Sequence, residues 1–210
     1  MSAESVTDPF PLLDWRRRIG ELYAEIRATS TSRSAWQRWR DVRAQLFREH
    51  PQSPIPARDR RAYRGPHLYD YDPAWRLTAS VEPAESQRLE LATSTGDVMA
   101  FRRFGRARLE HADDELSLDL YWLEGYGGGL FVPFADATSG HETYGAGRYV
   151  LDTVKGADLG MEDGRVVLDF NFAYFPSCAY DPRWTCPLAP PANRLSVPVR
   201  AGERLAEVAT

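Results

Sequence analysis

Over the first 50 residues apolar side chains recur every three to four positions; from Trp75 onward they recur at every second one. Leu12, Trp15, Ile19, Leu22, Tyr23 and Ile26 lie on one helical stripe, and Asp8-Pro9 provides a cap followed by a first-turn proline. Thr29–Arg33, rich in Ser and Thr, breaks the stripe. Trp36, Trp39, Val42, Leu46 and Phe47 form the next one, with Ser34 and Gln37 spaced as a capping box and Pro51 as the stop. Two helices are therefore predicted over residues 1–50, and their tryptophans read as packing surface rather than as a cofactor box. Residues 51–72 carry Pro and Arg without a period. They read as an extended strap, since too little core precedes them for a separate domain.

After Tyr71-Asp72-Pro73 the period becomes two. Trp75, Leu77, Ala79 and Val81 alternate with polar residues, then Leu89, Leu91 and Thr93, and the Ser94–Asp97 turn leads into the Val98–Phe104 run. Ala112-Asp113-Asp114-Glu115 separates Arg106–His111 from Leu116–Leu123, a predicted hairpin with Leu116, Leu118, Leu120 and Trp122 on one face. Leu130–Phe134, Gly147–Asp152, Arg165–Asn171 and Leu195–Arg200 bring the strand candidates to about nine. No intervening helix is long enough for a parallel crossover, so the pairing is predicted antiparallel. The expected fold is one α+β domain, mainly β, over residues 1–210: an antiparallel β-sandwich or barrel with two N-terminal helices packed on it. Residues 1–50 are its helical segment, 51–72 its strap and 73–210 its β-domain.

Composition narrows the function classes. The 210 residues are 43% apolar and 27% charged. A chain of this size buries roughly 70% of its unfolded surface and needs no staples. No apolar run approaches the ~20 residues of a spanning helix, so no membrane partner is expected. Met1 to Asp8 has neither a basic start nor an apolar stretch, so no signal peptide is expected. Two cysteines exclude a disulfide scaffold and fit a reducing cytoplasm. Residues 1–64 hold 13 basic and 8 acidic side chains (+5), against 13 and 22 (−9) in the remainder. The N-terminal arginines sit among helix-spaced apolar residues, without the aromatic interleaving of a single-strand binder, so no nucleic-acid partner is expected. Lys155 is the chain's only lysine and the sole candidate for Schiff-base chemistry; its Gly/Asp-rich turn gives no reason to develop that reading.

Several motifs fail on inspection. Gly127-Gly128-Gly129 lacks the Lys-Ser/Thr of a phosphate loop, and Gly145-Ala146-Gly147 leads into a strand rather than a helix. Neither H-E-x-x-H nor G-x-S-x-G occurs. Asp136, Thr138, Gly140 and Glu142 offer alternate oxygen ligands, but not at EF-hand spacing.

Two stretches are denser in polar and special-geometry residues than a plain β-protein needs: Phe131–Tyr149 and Asp169–Arg194. Within them, F-x-D-x-T-S-G-x-E-T-Y-G-x-G-R-Y spans Phe134–Tyr149, D-F-N-x-A-Y-x-P-x-C-A-Y spans Asp169–Tyr180, and C-P-L-x-P-P-x-N-R-L spans Cys186–Leu195. Together these blocks resemble the bacterial and archaeal family catalogued as domain of unknown function 1684. The family region is similar in length to this chain. Its members commonly carry another small residue at the position of Ala146 and Asn at that of Phe175. The resemblance implies a shared fold and a shared site, and no activity.

The site is therefore read from its chemistry. Arg148 follows a Gly-x-Gly and opens a strand, where its guanidinium would hold a carboxylate or phosphate of a ligand; the alternative is an internal ion pair with Asp136, Glu142 or Asp169. Asp169 and Asn171, two apart on a predicted strand, would share a face, either solvent-exposed or walling a polar pocket. Cys178 and Cys186 are candidates for buried packing, for a redox pair, or, with His141, for a metal site; a tetrahedral zinc would need more ligands than this, so no metal is expected. His50, His67 and His111 read as structural or exposed. Glu142 and Asp169 are the candidate catalytic bases, with Asp136, Tyr144 and Tyr174 as further acid–base groups. The ligand-binding candidates are Asp136, Thr138, Tyr144, Arg148, Asn171, Tyr174, Cys178, Tyr180 and Asn193. The leading expectation is a cytoplasmic small-molecule-binding β-domain whose polar pocket meets an anionic ligand at Arg148, without a cofactor. The alternatives are a hydrolase or isomerase in the same pocket, and a purely structural domain whose signature segments lock the sheet.

Overall fold

The computed structural model describes residues 8–29 and 32–206. Helix α1 spans Phe10–Ala28 and α2 spans Ser32–Glu49. The Asp8 carboxylate accepts from the Phe10 N–H at 3.0 Å, which caps α1 as the sequence predicts. Helix α2 begins two residues before Ser34, so the Ser34–Gln37 pair lies inside its first turns, and the position preceding the helix falls outside the described residues. The two stripes bury Ile19, Leu22, Tyr23 and Ile26 on α1 and Trp36, Trp39, Leu46 and Phe47 on α2. Trp39 Nε1 donates to Tyr23 Oη at 3.1 Å and ties the helices together. No described helix is long and apolar enough to cross a membrane.

The strap holds itself by side chain to backbone bonds. The Arg60 guanidinium donates to the carbonyls of His50, Pro51 and Ile55, at 3.0, 3.2 and 3.0 Å. A short 3₁₀ turn, Pro73–Trp75, capped by Asp72, then leads into the sheet.

Seven strands follow: β1 (Arg76–Ala92), β2 (Val98–His111), β3 (Asp114–Leu123), β4 (Gly129–Phe134), β5 (Arg148–Asp152), β6 (Met161–Glu162) and β7 (Arg165–Asp169). They form one antiparallel sheet in the order β5-β4-β3-β2-β1-β7-β6, which is not closed. The fold is therefore α+β and mainly β, with the helix pair packed on it, and its sheet is open. Val150 and Leu151 of β5 share a core with Val166 and Leu168 of β7, so the sheet curls until its outlying strands meet through side chains rather than hydrogen bonds.

Three sequence segments fold differently from expectation. The runs Trp75–Val81 and Leu89–Thr93 belong to one long strand, β1, and Val98–Phe104 and Arg106–His111 belong to another, β2. Each is interrupted by an irregularity rather than a turn: β1 shifts register between Pro83 and Gln87, and Phe104 is the extra residue of β2 between Arg103 and Gly105. One inserted residue flips the alternation of a strand. Ala107 and Leu109 thus face one core while Met99 and Phe101 face the other, although all four are odd-numbered. Leu195–Arg200 forms no strand. It spends its amides singly, with Leu195 N–H donating to the Ala135 carbonyl at 2.8 Å, and buries Leu195 and Val199 across the sheet.

One face of the sheet, with Ala79, Leu109, Leu118, Val132 and Leu168, is covered by this C-terminal segment. The other face, with Leu91, Phe101, Tyr121, Phe131 and Tyr149, is covered by α1 and α2. The Leu116–Leu118–Leu120 face is buried, whereas Trp122 at its end is 46% exposed.

Candidate functional site

Arg148 lies at the start of β5 because Gly147 permits it. Gly147 has φ +95°, and a Cβ there would sit 2.4 Å from the Phe134 carbonyl oxygen. The Arg148 side chain is fully buried, 5.0 Å from the Phe134 ring centroid. Its Nη2 donates to Asp136 Oδ2 at 2.8 Å and to the Val199 carbonyl at 2.7 Å, and its Nη1 donates to the carbonyls of Ala201 and Glu203. Burial lowers its pKa, and the Asp136 carboxylate opposes that. Asp136 Oδ1 also accepts from the Thr138 N–H at 2.7 Å and from its hydroxyl at 2.5 Å, and Thr138 Oγ1 lies 2.9 Å from Thr143 Oγ1. Of the three carboxylates named as internal partners for Arg148, Asp136 is the one it meets. The guanidinium pins the C-terminal segment to the sheet.

Asp169 and Asn171 do not share a strand face. Strand β7 ends at Asp169, and Phe170–Phe172 is a 3₁₀ turn capped by that carboxylate, which accepts from the Asn171 N–H at 3.0 Å. The break follows from the Asp-x-Asn spacing, in which a carboxylate captures the backbone amide two residues on. The Asn171 amide then brackets Asp72, accepting from its N–H at 2.9 Å and donating to its carbonyl at 2.8 Å. Burial pushes the Asp169 carboxyl up to about 6, against the Asn171 hydrogen bonds. Asn193 makes a similar bracket around Asp119. It accepts from Asp119 N–H at 2.8 Å and donates to the carbonyls of Asp119 and Pro133, at 3.0 and 2.7 Å.

Glu142 holds Arg200 in a two-point ion pair, at 3.0 and 2.8 Å, and accepts from Tyr69 Oη at 2.9 Å. The Arg200 hydrogen bonds lower its pKa to about 2, ahead of that of Tyr69 and against partial burial. Tyr180 Oη donates to Glu203 Oε2 at 2.9 Å, and the Phe175 N–H donates to the same oxygen at 2.5 Å. Tyr174 Oη donates to Asp152 Oδ2 at 3.4 Å. The eleven candidate residues thus fall into several hydrogen-bonded groups: Asp136–Thr138–Arg148, Asp169–Asn171, Glu142 with Arg200, Tyr180 with Glu203, Asn193 with Asp119, Tyr174 with Asp152, and Tyr144 with Cys178.

Cys178 and Cys186 are free thiols, both buried. The Cys178 N–H donates to Cys186 Sγ at 3.4 Å, and Tyr144 Oη lies 3.8 Å from Cys178 Sγ. His141 is exposed. Among the described residues no three His, Cys, Asp or Glu side chains gather as a metal-binding group.

The residues that line open space are partly those the sequence did not single out. Three adjoining cavities meet at Lys155, just after β5. One of about 150 Å³ is lined by Met99, Phe101, Leu123, Phe131 and Pro187 together with Asp152, Lys155 and Thr185. A second, of about 130 Å³, is lined by Trp15, Lys155, Ser177, Thr185 and Cys186. The third, of about 50 Å³, reaches under α1 and α2 to Tyr23, Arg43 and Tyr174. The Lys155 side chain is 41% exposed, with Nζ 3.6 Å from Asp152 Oδ2 and 5.2 Å from the Tyr149 ring centroid. Arg43 did carry a signal: it sits at the helical spacing of Trp36, Trp39 and Leu46, a charge inside an apolar stripe.

An open, curled antiparallel sheet clasped between a helix pair and a C-terminal segment defines an α+β protein whose signature residues brace the clasp. The chain belongs to the family described as "Protein of unknown function (DUF1684)", whose model matches residues 61–204. It is similar to the solution NMR structure of an uncharacterized protein of Haloarcula marismortui, at 30% identity and a TM-score of 0.59, over 94% of this chain and 98% of that one. No curated protein matches the chain.

Proposed function

We propose that this protein binds a small carboxylic acid with a ring or short branched hydrocarbon body, at the cavity beside Lys155. One observation carries the reading: the 150 Å³ cavity is lined by Phe101, Phe131, Met99, Leu123 and Pro187 and also by the chain's only lysine. An apolar pocket of about this volume has room for one benzene-sized body, with its open side left to a polar group. The carboxylate would meet the Lys155 ammonium and the Thr185 hydroxyl at the rim, with Asp152 as the group it displaces from Lys155. This keeps an anionic ligand but moves it from Arg148 to Lys155, because the Arg148 guanidinium already faces Asp136 and three carbonyls. In this reading Asp136, Thr138, Asn171, Tyr180 and Asn193 serve the fold, through the hydrogen bonds they make with one another and with Arg148, Asp72, Glu203 and Asp119. Of the two bases named for a hydrolase or isomerase, Glu142 is disfavoured by its ionised, two-point pair with Arg200, since a base working near neutrality needs a pKa close to the operating pH. Asp169, at about 6, meets that criterion, but one of its oxygens is already held by the Asn171 amide groups.

The test is thermal unfolding with benzoate, isovalerate and the neutral benzamide, on the wild type and on Lys155→Met and Met99→Trp. A ligand at ten times its Kd contributes about 1.4 kcal/mol. In a chain of this length that raises the melting temperature by about 3–6 °C. The acids should do this in the wild type alone, and benzamide should not. If no acid shifts the wild type, or if Lys155→Met responds equally, the reading fails.

A further inference from the structure

We propose that the free edge of β1 pairs with the same edge of a second copy of this chain, in an antiparallel dimer whose two-fold axis passes through Leu89. This goes beyond the ligand reading and does not depend on it. Strand β7 covers the outer edge of β1 only at Arg76–Ala79, and from Ser80 onward β1 pairs with β2 alone. Two hydrogen bonds fix which peptide groups beyond that point face outward. The Ala92 carbonyl, opposite Val98, accepts from the Leu188 N–H at 2.9 Å and so points away from β2. The Ala100 carbonyl, opposite Glu90, accepts from the Glu124 N–H at 3.0 Å and so points away from β1. Along an antiparallel ladder this direction alternates residue by residue. Arg88, Glu90 and Ala92 therefore turn their N–H and carbonyl groups to the open edge, whereas Leu89 and Leu91 spend theirs on Phe101 and Met99.

Both ends of the open stretch are closed. Pro83 and the register shift between Pro83 and Gln87 break the edge on one side, and Leu188 occupies the Ala92 carbonyl on the other. What remains is Gln87–Leu91, centred on Leu89 and exposed at Gln87, Arg88 and Glu90. A second copy laid antiparallel about Leu89 sets Arg88 opposite the partner's Glu90, and Glu90 opposite the partner's Arg88. These are also the residues whose peptide groups face out. The register that matches the charges thus matches backbone donors with acceptors as well.

Charges on an edge strand ordinarily keep copies apart. Here the order Arg-Leu-Glu is self-complementary under a two-fold rotation, so the same charges attract. Glu90 makes no ion pair among the described residues. Arg88 Nε lies 2.8 Å from Glu124 Oε2, and its remaining guanidinium donors are available to a second carboxylate. A pairing this short falls below the about 1,200 Å² of a standard stable interface, so the dimer forms at high protein concentration and exchanges readily.

The experiment is sedimentation equilibrium of the full chain over a concentration series reaching about 1 mM. Wild type should pass from monomer to dimer, and hydrogen exchange of the Arg88 and Glu90 amides should slow as it does. Arg88→Glu and Glu90→Arg each set like charges opposite one another, and each should weaken association about tenfold or more. Mixed in equal amounts, the two variants again place unlike charges opposite one another, and should form a heterodimer about as strong as the wild-type dimer. A wild type that stays monomeric overturns the proposal, as does a dimer that survives either single change or a mixture that fails to associate. Should a variant not fold, amide exchange of the wild type decides alone: Arg88 and Glu90 exchanging at the same rate in dilute and concentrated protein would overturn the pairing.

Discussion

Arg43 Nη2 and Glu203 Oε1 meet at 2.5 Å although 160 residues separate them, and both side chains are almost fully buried. The guanidinium sits over the rings of Trp39, Phe47 and Tyr174, with centroids 5.0, 4.6 and 4.9 Å away. Glu203 in turn accepts from the Phe175 N–H and Tyr180 Oη. Gly202 makes this possible: at φ +77° its missing Cβ leaves room for the Ala173 and Phe170 carbonyls, 2.5 and 2.6 Å from where that atom would lie. One ion pair therefore joins the second helix, the 170–180 loop and the C-terminal segment.

It follows that the helices and the sheet unfold together. Arg43→Met strands a buried carboxylate and should cost roughly 3–5 kcal/mol of stability by denaturant titration. Arg43→Met with Glu203→Gln should cost less than the two single changes added. Deleting residues 1–50 removes Arg43 and uncovers Leu91, Phe101, Tyr121 and Phe131 at once, so the remainder should be insoluble or lack near-ultraviolet circular dichroism. A truncated protein that melts sharply near the full-length temperature would refute this coupling.

Arg148 clamps the same segment from the other side. Arg148→Met keeps the stem but leaves Asp136 buried and unpaired, and releases the carbonyls of Val199, Ala201 and Glu203. Its unfolding free energy should fall by roughly 3–5 kcal/mol. A variant melting within a degree of wild type would assign the guanidinium to a ligand instead of the fold.

Asp169 gives a pH signature of unusual sign. Its folded pKa, about 6, lies above its ordinary value of 3.8, so the native state binds the proton more tightly than the unfolded chain does. Stability from this group is present below pH 3.8 and is lost as pH rises to about 6. Asp169→Asn keeps an oxygen to accept from the Asn171 amide. It should flatten stability across that window and melt at or above wild type at pH 7. A variant with the wild-type slope between those pH values would show that the carboxyl titrates normally.

The helix pair, the antiparallel pairing and the apolar stripes were legible because each depends on local period: 3.6 over Leu12–Ile26 and two over Leu116–Leu120. The Asp-Pro cap of α1 was legible for the same reason, since a cap is a contact between near neighbours. What periodicity could not reveal was continuity through an irregularity. Phe104 and the Pro83–Gln87 shift break the alternation as a turn would, and only strand pairing distinguishes the two.

The polar candidates mark a deeper division. Arg148, Asp136, Asn171 and Asn193 were identifiable as special because they fall in two stretches denser in polar residues than a plain β-protein needs. The choice between a ligand and the protein's own carbonyls as partner lies in the path of the C-terminal segment, which has no period to read. Lys155 was set aside as a lone lysine in a Gly/Asp-rich turn, and only the tertiary structure places it beside an apolar cavity. Local hydrogen bonding and side-chain period are written in neighbouring residues. Cavities and buried ion pairs arise between segments up to 160 residues apart, and so belong to the tertiary structure alone.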